Sequence, residues 1–190
     1  MHRATTMMMM WCLVAGFALL YATACGEDYQ ALGGDDDEEG HGGGAATTVI
    51  DDVRIGPDEP IMIADEEVEW QPGPDSLEEG ADYAVLEGDP SQRELFTMRL
   101  RLPDGFRIMP HTHPNVERVT VLSGTLHFGH GDTFDEEAAR RLPAGSYLAM
   151  PPEMEHFAYA EGETVLQLTS IGPWEINYIN PEHDPRKRGD

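Results

Sequence analysis

GFRIMPHTHPNVERVTVLSG, residues 105–124, sets two histidines and a glutamate between two glycines at the spacing G-x5-H-x-H-x3-E-x6-G. Side chains two apart on a strand point to one face, so His111 and His113 can reach a common ion, and Glu117 keeps the same parity. Imidazole nitrogen and carboxylate oxygen suit divalent first-row metals. Three or four such donors with coordination positions left open are what a catalytic metal site needs. An isolated H-x-H is common. A chain with 20 Gly and 8 His matches all five positions by chance about 3 times in 10,000. The competing reading is a set of polar side chains on an exposed strand.

Further on, residues 145–156 read GSYLAMPPEMEH, a strand, a tight proline-initiated turn and a second strand that opens on His156. With this segment the chain resembles the cupin superfamily. The first cupin motif is matched at every fixed position from Gly105 to Gly124. The second, G-x5-P-x-G-x2-H-x3-N, is matched at Gly145, Pro151 and His156, while Glu153 stands at the glycine position and Ala160 at the asparagine position. The resemblance covers roughly residues 70–180. It implies a jelly-roll β-barrel and a metal held by His111, His113, Glu117 and His156.

The rest of the globular part agrees with an all-β chain. Residues 49–180 suffice for one core. The stretch 96–102 alternates apolar with polar side chains and stops at Pro103-Asp104-Gly105, a turn signal. Short strands are expected over 116–122, 126–128, 147–150, 164–169 and 176–179. Residues 135–141, acidic first and basic last, suggest a helical turn. Many short strands with regular turns favour a barrel or sandwich, of which the jelly roll is the double-sheet form.

Alternation from Glu117 puts Val119 and Val121 on its own face, so the pocket beside the metal is expected to be largely apolar. Tyr147, Met150, Phe157, Tyr159, Gln167 and Trp174 are candidate wall residues, with core packing as their commoner role. His127 and His130, three apart, cannot both face the metal and read as surface or hydrogen-bonded histidines. Glu153 and Glu155 are candidate acid or base groups, against the plainer reading of solvated turn residues.

Ahead of the barrel, Met-His-Arg precedes an apolar stretch from Met7 to Ala22 and then Ala22-Thr23-Ala24-Cys25-Gly26. Small residues before a cysteine resemble a bacterial lipoprotein signal, which implies acylation of Cys25 at a new N-terminus and loss of Cys12 with residues 1–24. The alternative is an uncleaved anchor, since residues 7–25 approach a spanning length. Either reading tethers the chain to a membrane outside the cytoplasm, periplasmic or on the outer membrane. Residues 25–48 are Gly-rich and acidic and read as a flexible linker, and 181–190 as a mobile tail.

Charge narrows the partners. The chain carries 12 Lys+Arg against 36 Asp+Glu, a net charge of −24, which disfavours nucleic acid and anionic headgroups. Its single lysine, Lys187, is a poor Schiff-base candidate. By resemblance a homodimer is plausible.

The expected cofactor is a divalent transition metal: iron, manganese, nickel, copper or zinc. The expected function is a metal-dependent enzyme of dioxygenase, isomerase or decarboxylase type acting on a small oxygen-bearing molecule. A non-catalytic module that binds or senses a small ligand or metal is the alternative, because fold alone does not decide activity.

Overall fold

The computed structural model describes residues 49–50 and 52–188. The lipoprotein signal, Cys25 and the acidic linker lie outside the described residues. Eleven strands are present among those described: β1 (Val49–Ile50), β2 (Val53–Arg54), β3 (Gln71–Pro72), β4 (Asp82–Glu87), β5 (Leu95–Leu102), β6 (Arg107–Thr112), β7 (Glu117–His130), β8 (Arg140–Pro143), β9 (Tyr147–Met150), β10 (His156–Ile171) and β11 (Asn177–Tyr178). The first two form a hairpin of their own. The other nine make one antiparallel sheet that curls on itself, so the fold is an all-β jelly roll.

Two long strands produce the curl by running through both halves of the sheet. The first half of β10 pairs with β6 on one side and with the second half of β7 on the other. Its second half pairs with β5 and with the first half of β7. The halves are completed by β11 and β8, and by β4, β3 and β9. Both long strands turn from one half to the other at a left-handed glycine, Gly124 (φ 72°) and Gly162 (φ 71°), where register shifts break the ladder. Gly124 is also hemmed in. A Cβ there would lie 2.3 Å from the Glu163 carbonyl oxygen and 2.7 Å from Thr164 Cα, closer than real Cβ contacts allow, which gives the terminal glycine of the first motif a steric reason.

The core lies between the two halves. Along β5 burial alternates strictly: Phe96, Met98, Leu100 and Leu102 are buried, and Thr97, Arg99 and Arg101 lie between them on the outer face. Each buried side chain of this size contributes roughly 1.5–3 kcal/mol. From β7 and β10 come Val119, Val121, Leu126, Leu166 and Leu168. The outward arginines are paired; Arg101 bonds Asp82 at 2.6 Å and lies over the Trp70 ring at 4.5 Å.

The strands expected over 116–122 and 126–128 are one strand, and 164–169 is the second half of a longer one. The helical turn expected over 135–141 shrinks to a single hydrogen-bonded turn, Ala139 N to Glu136 O, because Arg140 and Arg141 belong to β8, opposite Phe128 and His127. Residues 181–187 form two single-turn 3-10 segments. They are held by Arg186 bonded to Asp184 at 2.7 Å and Arg188 to Glu78 at 2.6 Å.

Candidate metal centre

His111 sits on β6, His156 opens β10 directly opposite it, and His113 follows one residue past the end of β6. All three are buried, with 3 %, 3 % and 5 % exposure respectively. Their donor nitrogens all lie within 4.8 Å of one another, with Nε2 of His111 and Nε2 of His113 at 3.1 Å. What aims them is backbone. The Nδ1–H of His111 donates to the Met109 carbonyl at 2.8 Å, that of His156 to Met154 at 2.8 Å and that of His113 to Glu175 at 2.6 Å. A ring whose Nδ1 carries the proton presents a lone pair at Nε2 when neutral.

Burial disfavours the charged form of two of these rings. Desolvation pushes the His111 pKa well below its ordinary value, helped by the neighbouring His156 and His113, and desolvation likewise lowers that of His156. Converging Nε2 lone pairs cannot hydrogen-bond to one another, and a cation is what satisfies them. N···N separations of about 3.0–3.4 Å are what metal–nitrogen bonds of about 2.1 Å give at adjacent positions, so the His111–His113 distance fits. This cluster could hold a metal ion.

Glu117, the first residue of β7 and 5 % exposed, stands beside the cluster. Its Oε2 is 3.4 Å from Nε2 of His113, and its Oε1 accepts the indole N–H of Trp174 at 2.9 Å. The parity count that linked His113 to Glu117 crosses non-strand residues 114–116. The turn at Pro114-Asn115, rather than unbroken alternation, brings the glutamate back.

Beside the four side chains lies a cavity of about 40 Å³, room for about three water molecules. Its walls are aliphatic and aromatic, among them Val119, Leu126, Phe128, Met150, Leu166 and Trp174. The apolar lining expected from strand parity is therefore present, although Val121, fully buried, packs in the core away from the cavity.

Of the other candidate wall residues, Tyr147 is 60 % exposed and Gln167 bonds Arg99 between strands. Phe157 and Tyr159 point to the outer face, where Phe134 covers them at 4.9 and 6.0 Å. His127 also lies outside, stacked on Tyr159 with Nε2 2.7 Å from Glu161. His130 pairs opposite His156 at the exposed end of β7 and is not part of the cluster. Neither is Glu153 or Glu155.

Glu153 has another role. It adopts the left-handed conformation, φ 58°, at the place where the second cupin motif has glycine. Its N–H donates to the His113 carbonyl at 2.8 Å, and its carboxylate accepts from Thr112 Oγ1 at 3.2 Å. The proline turn is thus tied to the strand end that carries His113. Residue type alone could not reveal this role or that of the three orienting carbonyls.

The family model for the ChrR cupin-like domain matches residues 58–175, and the chain belongs to that family. No curated protein sequence matches significantly. Among solved structures, the polyketide cyclase RemF from Streptomyces resistomycificus is similar at 13 % identity and a TM-score of 0.52, over 67 % of this chain and 91 % of that one. An acetylacetone dioxygenase from Acinetobacter johnsonii is similar at 19 % identity and 0.52, over 68 % and 83 %. Rhodobacter sphaeroides ChrR, solved in complex with SigE, gives 23 % and 0.42, over 56 % and 51 %. At such identities the first two likenesses show the fold alone.

Proposed function

We propose that this chain is a metal-dependent enzyme acting on a small oxygen-bearing molecule, with His111, His113, His156 and Glu117 as the ligands of one divalent transition metal. The observation that carries the reading is the convergence of three carbonyl-oriented imidazoles and one carboxylate on an apolar cavity. Four protein donors leave one or two positions free on a five- or six-coordinate ion. A bound ion there supplies a Lewis acid or an oxygen-binding centre. The chain's own contribution is orientation and exclusion of water: the carbonyls of Met109, Met154 and Glu175 hold the rings in the binding tautomer, and the aliphatic wall admits an apolar fragment of few heavy atoms.

Export and lipid anchoring at Cys25 belong to the same reading, which places the reaction outside the cytoplasm. Pairing of two copies through their sheets also belongs to it. The acidic surface favours small molecules over nucleic acid as partners.

Elemental analysis of the full chain, purified without added metal or chelator, tests the proposal beside a His111→Ala, His113→Ala double variant. One equivalent of iron, manganese, nickel, copper or zinc in the unaltered chain, lost in the double variant, supports it and directs a screen for turnover and oxygen uptake. Equal metal content in both overturns the ligand assignment.

A further inference from the structure

The segment from Gly172 to Ile176 crosses the site between β10 and β11 and touches it at three consecutive residues. Trp174 donates its indole N–H to Glu117 Oε1 at 2.9 Å and lies nearly parallel to the His113 ring, centroids 5.8 Å apart and planes inclined by 18°. Glu175 gives its carbonyl to His113 Nδ1–H at 2.6 Å. Ile176, fully buried, lines the cavity. The segment is anchored from outside the site. Gly172 N–H bonds the Glu94 carbonyl at 2.9 Å and Trp174 N–H the Pro90 carbonyl at 2.7 Å. A Cβ on Gly172 would sit 2.1 Å from the Gln92 carbonyl oxygen, so the chain passes there only as glycine.

We infer that Trp174 is a positioning residue for Glu117, an inference that rests on the metal-site reading above. A carboxylate has two oxygens, and which one faces the histidines decides whether it can join them. With Oε1 held by the indole N–H, Oε2 alone is left facing Nε2 of His113, 3.4 Å away. Such an arrangement limits the carboxylate to a single donor atom and keeps a coordination position for substrate. The indole simultaneously closes the cavity wall over His113, so one side chain shapes the donor set and the space beside it.

The test uses the full chain and Zn2+ as probe, with affinity read by competition against a chromophoric chelator. Trp174→Phe keeps a ring beside His113 and removes the N–H. It is expected to weaken Zn2+ binding about tenfold, the lower end for partners of ligating side chains. In a Glu117→Ala background the same substitution is expected to change affinity less than twofold, because the group it acts through is gone. Equal losses in both backgrounds overturn the positioning role, as does Glu117→Ala binding Zn2+ like the unaltered chain. Failure of the unaltered chain to bind Zn2+ overturns the parent reading and this one with it.

A measurement on the unaltered sequence guards against a variant that does not fold. In a chain labelled with 15N-tryptophan, the indole resonance assigned to Trp174 is expected to move on adding one equivalent of Zn2+, while that of Trp70, on the outer face beneath Arg101, stays in place. Zn2+ bound without movement of the Trp174 resonance refutes the contact.

Discussion

Glu153 tests whether the second cupin motif survives here in backbone conformation although its glycine is gone. At φ 58° an L side chain costs about 1–2 kcal/mol relative to ordinary backbone regions. Glycine escapes that cost but loses about 0.5–1 kcal/mol through the freedom of its unfolded chain. Glycine should therefore exceed alanine at this position by about 0.5–1 kcal/mol. In an extended segment the order reverses, which makes the sign diagnostic. The native glutamate adds its half-buried, long bond from Thr112 Oγ1 at 3.2 Å, worth about 0.5–1 kcal/mol. So Glu153→Ala is expected to lower stability by about that amount, and Glu153→Gly to leave it nearly unchanged. Urea unfolding of the metal-free full chain measures this without ligand stabilisation, and a parallel thermal scan should separate the two variants by about 2–4 °C. An alanine variant as stable as the glycine variant, or more so, refutes the left-handed assignment and with it the claim that the turn holds His113 through the Glu153 N–H.

Gly124→Ala should destabilise far more, by about 3 kcal/mol or above, since the new Cβ meets backbone atoms of Glu163 and Thr164 and the strand bend must open; a loss below 1 kcal/mol by urea unfolding contradicts the close approach. Acidification should weaken the metal-free protein. The lowered pKa values of His111 and His156 mean that the unfolded chain binds more protons below pH about 6.5, so the stability from these groups is complete above that pH and is lost as pH falls toward the folded values. Urea midpoints between pH 7.5 and 5 measure it, and a profile that His111→Asn leaves unchanged speaks against the cause.

How far the sequence could be read follows from where its signals reside. The β5 strand is legible because its outer face meets solvent and arginine alternates with apolar residues, whereas Asp82–Glu87 carries too little alternation to mark a strand. In the sequence the long strands β7 and β10 break into pieces, because glycine inside a strand looks like punctuation. Gly124 and Gly162 in fact carry the chain around the corner without ending it. Arg140 and Arg141 looked like the basic end of a helical turn, but cross-strand pairing with β7 outweighs so weak a local charge preference. His111 and His113 are legible through their spacing, and His156 through the cupin resemblance. Their orienting partners at Met109, Met154 and Glu175 are not, because every residue has a carbonyl and only the fold chooses which one serves.

The site and the core are specified by the same parity. His156 faces His111 across the β6–β10 ladder, and Ala158, Ala160, Thr164, Leu166, Leu168 and Ser170, at even positions after it, are buried on the same inner face, while Phe157, also buried, is covered on the outer face by Phe134. On β7, Glu117, Val119 and Val121 turn inward together, with Glu117 opposite Met150 of β9. A slip of one residue in either ladder would therefore expose the aliphatic core and scatter the histidine cluster in the same event. Hydrophobic burial, worth many kcal/mol over these strands, thereby holds a buried polar cluster that would not assemble on its own account. Substitutions that loosen the ladders should accordingly weaken metal binding even where they lie far from the histidines. Substitutions of the histidines themselves should leave the register intact.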